Sequence, residues 1–125
     1  MKAVVIDDSR VTRMVLSRML KGLGFEVAEA EDGRQGLEAL RRPPVAELAL
    51  VDGNMPDMDG WAMVKAVRAD PALAPLRLLL VTAEQKSAAI EQALADGADG
   101  HLAKPFTRED VVGELRRLGL WTGDV

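Results

Sequence analysis

Apolar and polar positions fall into a repeating pattern: a short apolar run, then a longer stretch with helical spacing, five times over. Residues 3–6 (AVVI) predict a strand. Residues 9–21 predict a helix, with Val11, Met14, Val15, Arg18 and Met19 at helix-like intervals and Gly22 and Gly24 as natural stops. Residues 25–30 alternate, as a shorter and more exposed strand does. Asp32-Gly33 then opens a helix to Arg42, where Pro43-Pro44 forbids continuation. The third run, residues 48–51, ends at Asp52. Asp59 is placed to cap a helix over residues 60–69, closed by Asp70-Pro71. The fourth run, residues 76–81, ends at Thr82, and a helix over residues 87–95 follows, with Gly97 as its stop. A short fifth strand, residues 100–103, ends at Lys104-Pro105. Thr107 and Asp110 have the spacing of a capping box, with Asp in place of the usual Glu, and open a last helix to Leu118.

Strands three and four are continuous apolar runs, as expected when helices cover both sheet faces. Alternating strands and helices with short connections imply right-handed crossovers and a parallel sheet, hence a (βα)5 sandwich. An eight-fold barrel needs about 200 residues or more, and the chain has 125. Composition narrows the chemistry. With 48% apolar and 29% charged residues the chain is globular rather than disordered, and its length suits one domain over residues 1–125. The absence of cysteine excludes disulfides, thiolate zinc sites and a cysteine nucleophile. A single histidine, His101, excludes a multi-histidine metal site within one chain. A net charge of −4 advertises no basic face for nucleic acid. No apolar run reaches the roughly 20 residues of a membrane span, and acids interrupt the N-terminus where a signal peptide would stay apolar. The expectation is a cytoplasmic domain without membrane insertion, whose chemistry comes from oxygens, lysines and backbone.

The acids fall at informative places. Asp7 and Asp8 follow strand one, Asp52 ends strand three, Thr82 strand four and Lys104 strand five. In open α/β sheets the ligand crevice lies outside the carboxyl ends of the strands. Three carboxylates gathered there repel: one pair at about 4 Å costs roughly 4 kcal/mol at an effective dielectric near 20. Either some of them protonate, or a cation sits among them. An all-oxygen donor set suits a hard divalent ion, and Mg²⁺ with retained waters fits better than a caged Ca²⁺. A hydroxyl and an ammonium beside it point to a phosphoryl group as the guest, since its oxygens need donors and positive charge. A carboxylate can itself accept phosphoryl, and Asp52, central on the deepest strand, is best placed to do so.

The motifs VVIDDSR (residues 4–10), LVDGNMPDMDG (50–60), LLVTAE (79–84) and LAKPFT (102–107) occur in order and at matching separations. Through them the sequence resembles the receiver domain of two-component response regulators over nearly its whole length. The resemblance implies a flavodoxin-like three-layer sandwich with strand order 2-1-3-4-5, the order for which a chemotaxis member of that family is a standard example. It implies Asp52 as phosphoacceptor, Asp8 as a direct Mg²⁺ ligand, Asp7 acting through a metal-bound water, and the Asn54 backbone carbonyl as the remaining protein ligand. Thr82 and Lys104 match the residues that hold phosphoryl oxygens, and Lys104-Pro105 matches a peptide bond usually cis. His101 stands where the family usually has Tyr or Phe, the aromatic that turns inward with the threonine on activation. The implied partners are a sensor histidine kinase or histidine phosphotransfer protein as donor, and a downstream protein on the face of helix four, strand five and helix five. Asn54 and Glu84 match the pairing of chemotaxis-type members with short-lived phosphoryl groups, so a lifetime of roughly seconds to minutes is expected. The receiver is expected to stand alone and to act as a switch, not as an enzyme with independent turnover.

Other readings have less support from the residues. An aspartyl-nucleophile phosphatase would need a general acid two residues after Asp52, where Asn54 stands. A flavin or nucleotide binder would need hydroxyls and glycines in the first loop, where IDDSR has carboxylates. A degenerate receiver serving only as an interaction module would not need the complete acid set. Met55, Met58 and Met63 read as packing around the loop after strand three, Trp61 as a partly exposed helix residue, and Arg41-Arg42 and Arg116-Arg117 as helix ends.

Overall fold

The computed structural model describes residues 1–53, 55, 60–83 and 88–121. Five strands, β1 (Lys2–Ile6), β2 (Glu26–Ala30), β3 (Leu48–Asp52), β4 (Arg77–Thr82) and β5 (Gly100–Ala103), form one parallel sheet in the order 2-1-3-4-5. Five helices, α1 (Arg10–Gly22), α2 (Gly33–Arg41), α3 (Gly60–Ala69), α4 (Ala88–Asp96) and α5 (Arg108–Arg117), alternate with them. The apolar runs of β1, β3 and β4 are each two interleaved sets. Val4, Ile6, Ala49, Val51, Leu78 and Leu80 join a core with α2, α3 and α4. Ala3, Val5, Leu48, Leu50, Leu79 and Val81 join a second core with α1 and α5. The architecture is the flavodoxin-like three-layer sandwich.

Caps follow local chemistry. Ser9 accepts the Thr12 N–H at 3.3 Å and Asp32 the Gln35 N–H at 2.8 Å. Thr107 and Asp110 close a reciprocal capping box with bonds of 3.1 and 2.9 Å. Helix α1 runs into Gly22, and Gly24 takes φ +98°, which favours glycine. Two details go beyond the sequence pattern. The buried stripe of α1 is Leu16, Ser17 and Leu20, whereas Val11, Met14 and Val15 are exposed, Val11 at 66%. Asp70-Pro71 does not merely end α3 but starts a 3₁₀ turn, Pro71–Leu73, with Asp70 as its cap. The Arg41 guanidinium lies 3.0 Å from Asp70 and, as its main hydrogen-bond donor, holds that carboxyl below its ordinary pKa. The expected capping role of Asp59 and the packing of Met58 lie outside the described residues. Met55 and Met63 are buried in the core as read.

Candidate functional site

Register brings the site together. Ile6 pairs with Val51 and Asp52 with Val81, so Asp7 leaves β1 level with Asp52 on β3. Thr82 pairs with Ala103, which sets Lys104 one residue beyond. The Lys104 N–H donates to the Thr82 carbonyl at 2.8 Å, extending the ladder past the end of the sheet. Four separate segments thus deliver Asp7, Asp8, Asp52, Thr82 and Lys104 to one edge. Asp7, Asp52 and Thr82 are buried there, while Asp8 is exposed at its mouth. Asp8, Asp52, Gly53, Trp61, Thr82, Ala83 and Lys104 line a cavity of about 570 Å³.

One oxygen from each of Asp7, Asp8 and Asp52 lies within 4.8 Å of the others. Lys104 Nζ stands 3.4 Å from Asp52 Oδ1 and 3.6 Å from Asp7 Oδ2. At formal charge, three carboxylates against one ammonium leave an excess matching one divalent cation. The two oxygens of Asp7 are not equivalent. Oδ1 accepts the Ser9 N–H at 2.8 Å, whereas Oδ2 is buried with no hydrogen-bond partner. Lys104 faces this oxygen across 3.6 Å but makes no hydrogen bond to it, and a buried carboxylate oxygen without one is costly unless a cation or an ordered water meets it. The all-oxygen donor set around it fits Mg²⁺.

The neighbouring elements leave room for a guest. A Cβ on Gly53 would lie 3.2 Å from Thr82 Cβ and 3.3 Å from its Oγ1, so a side chain there would press on the hydroxyl. Gly60, buried at the start of α3, lets the helix approach the end of β3. A Cβ on it would lie 2.7 Å from the Asp52 carbonyl oxygen and 2.8 Å from Gly53 Cα. Trp61, half-buried on α3, packs on the core and also lines the cavity, a role that its sequence position alone did not suggest. The Lys104–Pro105 peptide is cis, and so is Pro43–Pro44. Asn54 and Glu84 lie outside the described residues. His101 does not line this cavity. It sits half-buried on β5, opposite Leu80, beside surface depressions lined by Leu94 of α4 and by Glu114 and Arg117 of α5.

The family model for the response regulator receiver domain matches residues 3–116. The chain belongs to the response regulator receiver family. It is 36% identical over 119 residues to the chemotaxis protein CheY of Pseudomonas aeruginosa, covering 94% of this chain and 95% of that one. It is 36% identical to CheY1 of Helicobacter pylori over 125 residues, 99% and 100% of the two chains. The crystal structure of Vibrio cholerae CheY4 superposes with a TM-score of 0.86 at 34% identity, covering 93% of this chain and 96% of that one. The signal receiver domain of the putative response regulator NarL from Mycobacterium tuberculosis does so with a TM-score of 0.83 at 36% identity, covering 94% of each. The protein is therefore a two-component signalling receiver, and the acid cluster is one that could hold a metal ion. Among the described residues no helix is long and apolar enough to cross a membrane.

Proposed function

We propose that this chain, as a single receiver domain over residues 1–125, is a cytoplasmic phosphorylation switch with Asp52 as its acceptor. The donor in this reading is a phosphohistidine of a sensor histidine kinase or a histidine phosphotransfer protein. A carboxylate oxygen of Asp52 attacks phosphorus in line. The P–N bond breaks, and the imidazole leaves with its electron pair and takes up a proton. Later attack by water on the acyl phosphate releases inorganic phosphate and restores the Asp52 carboxylate. The switch turns over no independent substrate.

The observation that carries this reading is the asymmetry among the three acids. Asp7 is buried, with one oxygen committed to Ser9, and does not line the cavity. Asp8 lines it from an exposed position. Asp52 alone is buried, lines the cavity and has an ammonium at 3.4 Å. The ammonium of Lys104 would move onto a phosphoryl oxygen as charge develops there, a preorganised donor needing little reorganisation. The Thr82 hydroxyl, buried at the cavity wall, would accept the same role for a second oxygen. Asp8, Asp52 and the Asn54 carbonyl would hold Mg²⁺, with Asp7 acting through water. When bound, the ion supplies positive charge against the phosphoryl oxygens. Engagement of Thr82 then biases His101 and the surface of α4, β5 and α5 toward binding a downstream protein.

Intact-mass measurement after incubation with acetyl phosphate tests the reading. We expect one added phosphoryl group with Mg²⁺, and none in EDTA or in Asp52→Asn. An unmodified wild-type protein under all conditions would instead identify a degenerate interaction module.

A further inference from the structure

Arg13 touches none of the cavity yet is tied to its floor. It lies on the fourth position of α1, and its side chain is only 14% exposed. Nη1 donates to the backbone carbonyl of Asp7 at 2.7 Å, and Nε donates to Glu29 Oε1 on β2 at 3.2 Å. The Asp7 N–H donates to the Ala30 carbonyl of β2 at 3.1 Å. Residue 7 is therefore held at both ends of its backbone, from β2 on one side and from α1 on the other. Its carbonyl belongs to the peptide plane that leads into Asp8. Among the described residues no hydrogen bond or ion pair holds the Asp8 side chain, so its reach is set from the backbone that carries it.

We propose that Arg13 is a positioning residue for the cation site: by fixing the Asp7–Asp8 peptide it places the backbone from which both carboxylates reach the ion, and thereby raises the Mg²⁺ affinity. The inference rests on reading Asp7 and Asp8 as metal-binding acids. Two effects of Arg13 oppose each other. Its positive charge disfavours a nearby cation, and its hydrogen bond orders the acids that bind one. Glu29 at 3.2 Å opposes that charge, and ordering is the effect proposed to win. Hydrogen bonds that orient metal ligands commonly change affinity by about 10- to 100-fold when removed.

The sign of the change separates the two effects. Mg²⁺ binding would be measured by calorimetry on wild type, Arg13→Met and Arg13→Lys, with the Tm of each recorded in EDTA. Ordering predicts Mg²⁺ binding weakened by about tenfold in Arg13→Met. It also predicts substantial recovery in Arg13→Lys, whose ammonium can still donate to the Asp7 carbonyl. Should Arg13→Met fold poorly, Arg13→Gln retains a donor-bearing, uncharged side chain. Partial retention of affinity there supports ordering, whereas affinity above wild type overturns it. Unchanged or tighter Mg²⁺ binding in Arg13→Met, or equal losses in the Met and Lys variants, overturns the proposal. Failure of the wild-type protein to bind Mg²⁺ sinks the reading of the acids themselves, a distinct result.

Discussion

Lys104 is the cation that the described acids share: its Nζ lies 3.4 Å from Asp52 and 3.6 Å from Asp7, both buried. Replacing it with methionine keeps the aliphatic stem and removes the charge. We expect Lys104→Met to take up phosphoryl from acetyl phosphate about a hundredfold more slowly, in line with the loss of one preorganised charge-stabilising donor. Stopped-flow fluorescence of Trp61, which lines the same cavity, would follow the reaction. A rate within threefold of wild type would remove Lys104 from the mechanism. The side chains at strand ends were legible in the sequence because an apolar run that stops at a carboxylate, a threonine or a lysine marks both the element and its edge. Arg13 was not. Its partners are a backbone carbonyl and a glutamate on another strand, and nothing in residue type or helical spacing points to either. Arg68 was hidden for the same reason. It donates to the carbonyls of Gly97 and Leu76 and to the Asp99 carboxylate, tying α3 to the ends of α4 and β4.

Elements were legible where punctuation was strong and less so where only periodicity spoke. Pro43-Pro44, Asp70-Pro71 and Thr107-x-x-Asp110 each fall at an observed boundary. Val11, Met14 and Val15 lie on the outer face of α1, because Leu16 and Leu20, one residue and so about 100° further round than Val15 and Met19, take the core. Gly60 joins element to site. Alanine there places a methyl 2.7 Å from the Asp52 carbonyl oxygen and from Leu80 Cδ1, and 2.8 Å from Gly53 Cα, mostly atoms that cannot swing aside. Helix propensity alone would favour Gly→Ala by about 1 kcal/mol. Crowding outweighs it, so Gly60→Ala should destabilise by about 1–3 kcal/mol in urea unfolding. Gly113 is the control, since a Cβ there meets nothing within 4 Å, and Gly113→Ala should be neutral or stabilising. Equal effects at the two positions would contradict the close approach of α3 to β3.

At the scale of the whole molecule, parallel strands place all their carboxyl ends on one edge, and the order 2-1-3-4-5 puts β1 beside β3. That adjacency brings an aspartate pair from the start of the chain against one from its middle, and β4 and β5 add the hydroxyl and the ammonium. Strand types and their alternation with helices were readable from the chain. The order itself came from resemblance, since periodicity says which runs are strands and not which are neighbours. The proposed switch depends on this edge making Asp52 a phosphoryl acceptor. The most direct test is to treat the phosphorylated protein with borohydride, which reduces an acyl phosphate to the alcohol, and to locate the change by peptide mass. We predict homoserine at position 52 in the Mg²⁺-treated protein and aspartate there without Mg²⁺. Unchanged aspartate at 52, or homoserine at position 7 or 8 instead, would contradict it.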